Sequence, residues 1–287
     1  MSEHFIDVFS LSLAFSLIGL NVYMTTRVLN ITDIACDASV TLGGCSYGAL
    51  LVFGVNPLLA VGVAMCLGMF AGFLTSSLIT NIGIEPVMAS IITMAALQTF
   101  ILKLSAVHYI IQKSSGSFLT SLPAIDNALM VSGIVFICAL LVYRILSSEF
   151  GLAMRVYGDG EIISESLGIS TGKVLRIGLG IANALAAIAG ALIAQVSGKF
   201  GPATGNGSLV FGMAAVIIGQ KAISPQNFKG AVIACFVGSF AYKAVMEVAT
   251  FSGLDVKLGS EYQNVITAIV LVLLIALMHD ARRKTTR

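Results

Sequence analysis

The chain has 287 residues, of which 57% are hydrophobic and only 10% charged, with a mean hydropathy of +0.97. Soluble domains carry about 25% charged residues, so there is too little charge here to cover a water-facing surface. A polytopic helical membrane protein is the class that remains. The net charge of +2 leaves no footprint for nucleic acid; what informs is where the charges sit.

The start, Met1-Ser-Glu-His-Phe-Ile-Asp7, is acidic where a signal peptide is basic, and no small-residue cleavage site follows. The first apolar run is therefore expected to stay as a membrane helix. A helix needs about 20 residues to cross the hydrocarbon core. Apolar runs read against their polar breaks give nine candidate spans: 5–26, 34–54, 57–80, 87–111, 127–147, 174–197, 208–223, 229–251 and 262–280. The second carries Asp37 near its start and Gly43-Gly44 in its middle, and the seventh is short. Either could be broken or re-entrant, lined by protein instead of lipid. The expected fold is thus all-α: one transmembrane domain over 1–287, with eight or nine spanning or re-entrant helices.

Alternation of nine spans sorts the basic residues. One side receives Arg27, Arg144, Arg155, Lys173, Arg176, Lys221, Lys229, Arg282, Arg283, Lys284 and Arg287; the other receives Lys113, Lys199 and Lys257. The positive-inside rule makes the first side cytoplasmic, so the N-terminus is expected outside and the C-terminus inside. Lys103 and Lys243 fall within spans. Lys103 can snorkel, and Lys243 shares a helix face with Glu247, which suits pairing or a substrate contact. Trp is absent, leaving Tyr109, Tyr143 and Tyr262 as interfacial anchors.

The five cysteines lie in or beside apolar runs without a CxxC pair, and the three histidines are scattered. Neither a metal site nor a catalytic constellation is expected. The sixth span carries small residues every fourth position, Ala182, Ala186, Gly190 and Ala194, a ridge that lets helix backbones approach closely. Gly68 and Gly72 repeat the pattern in the third span. Asp37 either caps a half-helix or faces the pathway, since an acid at membrane depth is costly unless capped or hydrated. Ser39, Thr41 and Asn183 either line the same cavity or bond between helices.

The longest polar stretch is 148–173. Gly158-Asp159-Gly160 predicts a turn with Asp159 as N-cap. Glu161 to Leu167 then reads as a short amphipathic helix, with Ile162, Ile163 and Leu167 on one face and Glu161 and Glu165 beside it. Gly168 stops the helix at the position a C-terminal glycine prefers. The acids argue against a lipid-lying helix and for docking on another protein.

Arg155-Val-Tyr-Gly-Asp-Gly-Glu-Ile-Ile-Ser-Glu-Ser-Leu-Gly-Ile-Ser170 resembles the cytoplasmic coupling loop of ABC importer permeases of the branched-chain amino acid and ribose class. The resemblance extends to the segment 27–44 that opens the second span, to Asn183–Gln195 and to 213–219, and it is nearest the tryptophan/tyrosine-type subfamily. Gln220 departs from it, standing where many relatives carry an acid. The resemblance implies that Arg155, Gly158, Asp159, Glu161, Glu165, Leu167, Gly168 and Ile169 couple to an ATPase, and that Asp37, Ser39, Thr41, Asn183 and Gln195 are pathway or structural candidates. It further implies a second permease chain, a cytoplasmic ATPase that binds the ATP and Mg, an extracytoplasmic solute-binding protein, and the bacterial inner membrane as location. The chain lacks a Gly-x-x-x-x-Gly-Lys-Ser/Thr loop, so it is read as a transport subunit without a cofactor of its own. An ion-coupled secondary transporter is the alternative, though such proteins more often show paired acids deep in the core.

Overall fold

The computed structural model describes residues 2–115, 124–198, 200–223 and 227–251. Within them the chain forms ten α-helices: α1 Ser2–Tyr23, α2 Ala35–Val52, α3 Pro57–Ser77, α4 Pro86–Ser115, α5 Ala124–Leu146, α6 Glu149–Asp159, α7 Glu161–Ser166, α8 Thr171–Ser197, α9 Ser208–Ile223 and α10 Phe228–Phe251. Seven helical spans are long and apolar enough to cross a membrane, and α9 is a shorter apolar helix. The candidate span 262–280 and the basic tail lie outside the described residues.

The second span is unbroken: α2 runs straight through Gly43 and Gly44. The glycines serve packing instead. A methyl on Gly43 would fall 2.6 Å from the Ala187 carbonyl carbon, and one on Gly190 would fall 2.8 Å from the Val40 carbonyl carbon. With Ser39 at Asn183 and Tyr47 at Gln195, these contacts give α2 and α8 a parallel register. On the third side, methyls on Gly68 and Gly72 would fall 2.5 Å from the Ala187 Cβ and 2.6 Å from the Leu179 carbonyl carbon. Ala182, Ala186, Gly190 and Ala194 are all buried, and α8 is the centre of the bundle.

The periphery is apolar and faces outward. Phe70 on α3, Phe100 on α4, Phe136 on α5 and Ile233 on α10 are each more than half exposed, which a membrane solvates and water does not. Cys66 sits on this outer surface; the other four cysteines are buried, and all five are free thiols.

Two features depart from the sequence reading. Residues 149–159 are a helix, so Gly158 and Asp159 form its last turn and Asp159 is no N-cap; Gly160 caps α7 in its place. Lys243 lies with its Nζ 5.3 Å from the Phe15 ring centroid, while the Glu247 side chain falls outside the described ones, as does that of Tyr109. Tyr143, half-buried near the end of α5, lies under the Lys229 ammonium at 5.6 Å.

Candidate functional site

Two regions gather the polar residues: a network inside the bundle, and the element formed by α6 and α7 at one end, here called the basal end.

The interior network begins where α1 stops. Its last turn widens into a π-helical segment, Met24–Val28, closed by the Leu29 amide donating to the Met24 carbonyl at 3.0 Å. Such turns recur at functional positions. Asn30 then takes a positive φ of 55°, which asparagine tolerates better than most residues, and the chain turns back into the bundle. Asp33, 1% exposed, accepts the Ala35 amide at 3.0 Å and so caps α2. Its other carboxylate oxygen accepts the Asn183 side-chain amide at 2.6 Å. The Asn183 carbonyl oxygen in turn accepts the Ser39 hydroxyl at 2.6 Å. Every polar atom of this trio has a partner, which fixes the Asn183 amide orientation. Asn183 lies twelve residues into α8, about 18 Å along its axis. The N-terminus of α2 therefore starts inside the bundle and not at its surface.

Asp37 caps a helix, but not its own. One carboxylate oxygen accepts the Leu209 amide at 2.7 Å and the other the Gly207 amide at 3.0 Å. It thus satisfies the first free donors of α9, where the helix dipole favours an anion. Thr41 turns its hydroxyl back to the Asp37 carbonyl at 2.8 Å. Asn21 completes the region by donating to the Cys36 sulfur at 2.9 Å. The N-termini of α2 and α9 thus meet in the interior around Asp33 and Asp37. Tyr47 donates to Gln195 nearer the far end of α2. Sequence reasoning named Asp37, Ser39, Thr41, Asn183 and Gln195 but missed Asp33. The available signal was an aspartate two residues before an apolar run.

At the basal end, α6 lies keyed under the bundle. Met154 is fully buried; Gly151 fits beneath the Ile145 and Leu146 carbonyls, and Gly158 fits against the Val28 carbonyl. The Asn30 side chain donates to the Gly158 carbonyl at 3.3 Å. Arg155 points inward: its guanidinium stacks 3.7 Å from the Phe228 ring centroid and donates to the Leu146 carbonyl at 2.9 Å. Tyr157 is raised above its ordinary pKa by burial and by the neighbouring Glu161. Arg176, at the start of α8, reaches Asn81 at 2.5 Å.

The short helix α7 shows an inverted pattern. Its buried residue is Ser164, while Ile162 is 84%, Leu167 65% and Ile163 51% exposed. Gly168, with φ of 76°, adopts the left-handed conformation that ends the helix. Asp159, Glu161 and Glu165 are exposed beside the apolar cluster, whereas Ile169 is half-buried against the core. Of the residues assigned to coupling, then, Glu161, Glu165 and Leu167 form one outward surface, and Arg155, Gly158 and Ile169 hold that surface to the bundle.

Comparison with known proteins places this arrangement. Residues 5–275 match the model of the branched-chain amino acid transport system / permease component family. The tyrosine transport system permease protein of Clostridioides difficile is 31% identical, over 94% of this chain and 90% of its own length. The ribose import permease protein of Escherichia coli is 22% identical, over 84% and 75% respectively. Among solved structures, an inward-facing metal-chelate type ABC transporter shares the fold, with a TM-score of 0.60 at 12% identity, over 96% of this chain and 86% of that one. The chain belongs to the branched-chain amino acid transport system / permease component family.

Proposed function

We propose that the chain, as a permease of this family, is the membrane subunit of an ATP-driven importer in the bacterial inner membrane. In this reading the whole chain serves as one transmembrane domain, and two copies enclose the pathway for an amino acid. The tyrosine transport permease, similar along nearly its full length, supports an aromatic substrate; the family description supports a branched-chain one. ATP and Mg bind the partner ATPase and not this chain. A solute-binding protein delivers substrate at the end opposite α6 and α7. Arg27, Arg144, Arg155, Lys173, Arg176, Lys221 and Lys229 cluster toward the basal end, so that end is cytoplasmic by the positive-inside rule, with the N-terminus outside and the C-terminus inside.

The observation that carries the reading is the inverted helix α7. Three large apolar side chains are exposed on a segment outside the spans, held in place by a buried serine and a keyed neighbouring helix. Exposed apolar clusters of this kind mark docking sites, and the cytoplasmic ATPase is the partner that family membership supplies. The permease transmits ATPase closure through α7 into alternation of the pathway.

The test is Leu167→Asp in the permease reconstituted with its ATPase and binding protein. An unpaired charge buried at a docking surface costs about 2 kcal/mol or more. Stimulation of ATP hydrolysis by loaded binding protein and uptake of labelled tyrosine, leucine and ribose are measured together. The expected outcome is loss of both with normal permease yield. Stimulation and uptake at wild-type levels would remove α7 as the coupling element; uptake of ribose alone by the wild type would overturn the amino acid assignment.

A further inference from the structure

The bundle is built from two bodies, each sealed by backbone-to-backbone contact. In the first, α2, α3 and α8 meet through Gly43, Gly68, Gly72 and Gly190, as described above. In the second, α9 and α10 form a hairpin. A methyl on Gly219 would fall 2.5 Å from the Ala234 carbonyl carbon, and one on Gly238 would fall 2.8 Å from the Ala215 carbonyl carbon. Such seams leave no room to slide, so each body moves as a unit. Helix α1 lies between them, packing on α8 and on both hairpin helices. Direct contact between the helices of the two bodies is slight, because α2 approaches α9 only over a short stretch, and the connector leading into α9 lies on α2 with Phe200 at Gly44 and Gly205 at the Asp37 carbonyl. That stretch holds Asp37 with its two hydrogen bonds to the first amides of α9. At the other end of the hairpin, Arg155 of α6 stacks on Phe228, the first residue of α10.

We infer that Asp37 is a positioning residue, a latch between the two bodies that opens when the α9–α10 hairpin shifts against α2–α3–α8 during transport, and that Arg155 is the point at which the coupling element pulls on the hairpin. The inference rests on the permease reading. In a dry interior a carboxylate on helix N-terminal amides is a strong tie, because neither partner has an alternative. Once the pathway admits water, both partners can be hydrated and the net worth of the bond falls sharply. The tie therefore holds the closed arrangement and weakens as the pathway opens. Glycine seams cannot behave this way, since their contacts do not depend on water. Arg155 suits the second role because one guanidinium spans three elements: it sits on α6, bonds the end of α5 through the Leu146 carbonyl and stacks on α10. A lysine supplies the charge but neither the stacking plane nor the fork.

The experiment measures distance within the reconstituted complex. Cys66, the exposed cysteine, is replaced by Ser, and spin labels are placed at Lys173→Cys on α8 and Lys221→Cys on α9, both exposed positions. Doubly labelled permease is diluted among unlabelled copies, so that the distance read is within one chain. A control pair, Ile82→Cys with Lys173→Cys, reports the first body alone. Trapping the ATPase with ADP and vanadate is expected to shift the 173–221 distance by several ångströms and leave the control unchanged. Asp37→Ala is expected to produce part of that shift without nucleotide and to lower uptake per ATP hydrolysed by about tenfold, as loss of a buried cap allows. Asp37→Asn, which keeps one acceptor, is expected to fall between. Arg155→Lys is expected to hydrolyse ATP without shifting the distance. A 173–221 distance that stays fixed on trapping, in a complex that hydrolyses ATP and transports, overturns the latch. A wild-type complex that neither binds an ATPase nor transports overturns the permease reading instead. If Asp37→Ala fails to fold, the wild-type trapping measurement and Asp37→Asn still decide.

Discussion

Gly190→Ala probes the seam on which the rest of the bundle depends. The added methyl would sit 2.8 Å from the Val40 carbonyl carbon and 3.1 Å from the Gly44 amide nitrogen, and closer still to the Val40 oxygen. Ordinary carbon contacts lie at about 3.5–4.0 Å, so α2 and α8 must separate by about an ångström. Backbone, unlike the far end of a side chain, cannot turn aside. Overpacking of this kind costs about 1–3 kcal/mol. Separation also stretches the Ser39–Asn183 and Asn183–Asp33 hydrogen bonds, both 2.6 Å; bonds to charged groups are worth about 1.5–3 kcal/mol. A combined loss of about 3–5 kcal/mol, at about 2–4 °C per kcal/mol for a chain of this size, lowers the melting midpoint by about 6–20 °C. The assay is thermal stability in detergent, read by size-exclusion chromatography of the heated protein. Gly133→Ala on α5 is the internal control, since a methyl there meets nothing within 4 Å; its midpoint should hold or rise slightly, because alanine favours helix over glycine by about 1 kcal/mol. Equal midpoints for the two variants would refute the close approach of α2 and α8.

The buried trio is open to a swap. Asn183→Asp alone sets a carboxylate against Asp33 across a 2.6 Å contact and should lower the melting midpoint by about 3–12 °C, from the loss of one charged hydrogen bond; adding Asp33→Asn should restore most of it, and an additive double variant would show that the pair does not interact. Gly168→Val forces a β-branched residue to φ of 76° and should uncouple ATP hydrolysis from uptake, with the melting midpoint held, since a methyl there meets nothing within 4 Å. In a Cys66→Ser background, an impermeant maleimide applied to whole cells should label Ala203→Cys, in the loop before α9, and leave Glu165→Cys, on α7, unlabelled; the opposite pattern would invert the orientation.

The eight spans that fall on described helices were legible because the bilayer imposes one length on every apolar run, and about 20 apolar residues in a row are signal enough without knowing any partner. The small-residue ridge was legible as a period of four, though not what it touches: only the fold brings Val40 and Gly44 to Gly190. Helix α6 was hidden because Gly158-Asp159-Gly160 reads as a turn, whereas Gly151 and Gly158 let a helix fit beneath carbonyls of α5 and of the π-helical segment after α1. Asp37 was legible as a cap, but the helix it caps begins 171 residues later, at Ser208, and a capping preference read locally points to the wrong helix. Asp33 stands just before an apolar run, but its partner Asn183 is 150 residues away, so its bond to α8 could not be read locally.

Helix α7 shows most clearly where reading by pattern stops. Three apolar residues on the seven positions from Glu161 to Leu167 identify an amphipathic helix, and the ordinary inference turns that face toward the core. Here the core side is taken by Ser164, whose hydroxyl is satisfied within the helix by the Gly160 carbonyl at 3.1 Å, while Ile162, Ile163 and Leu167 face out. Leaving such side chains in water forgoes about 1.5–3 kcal/mol each. No described residue buries the three side chains, and α6, keyed to the bundle through Gly158 and Arg155, leads directly into α7. On the proposed permease reading, an ATPase surface that covers the three residues recovers that loss.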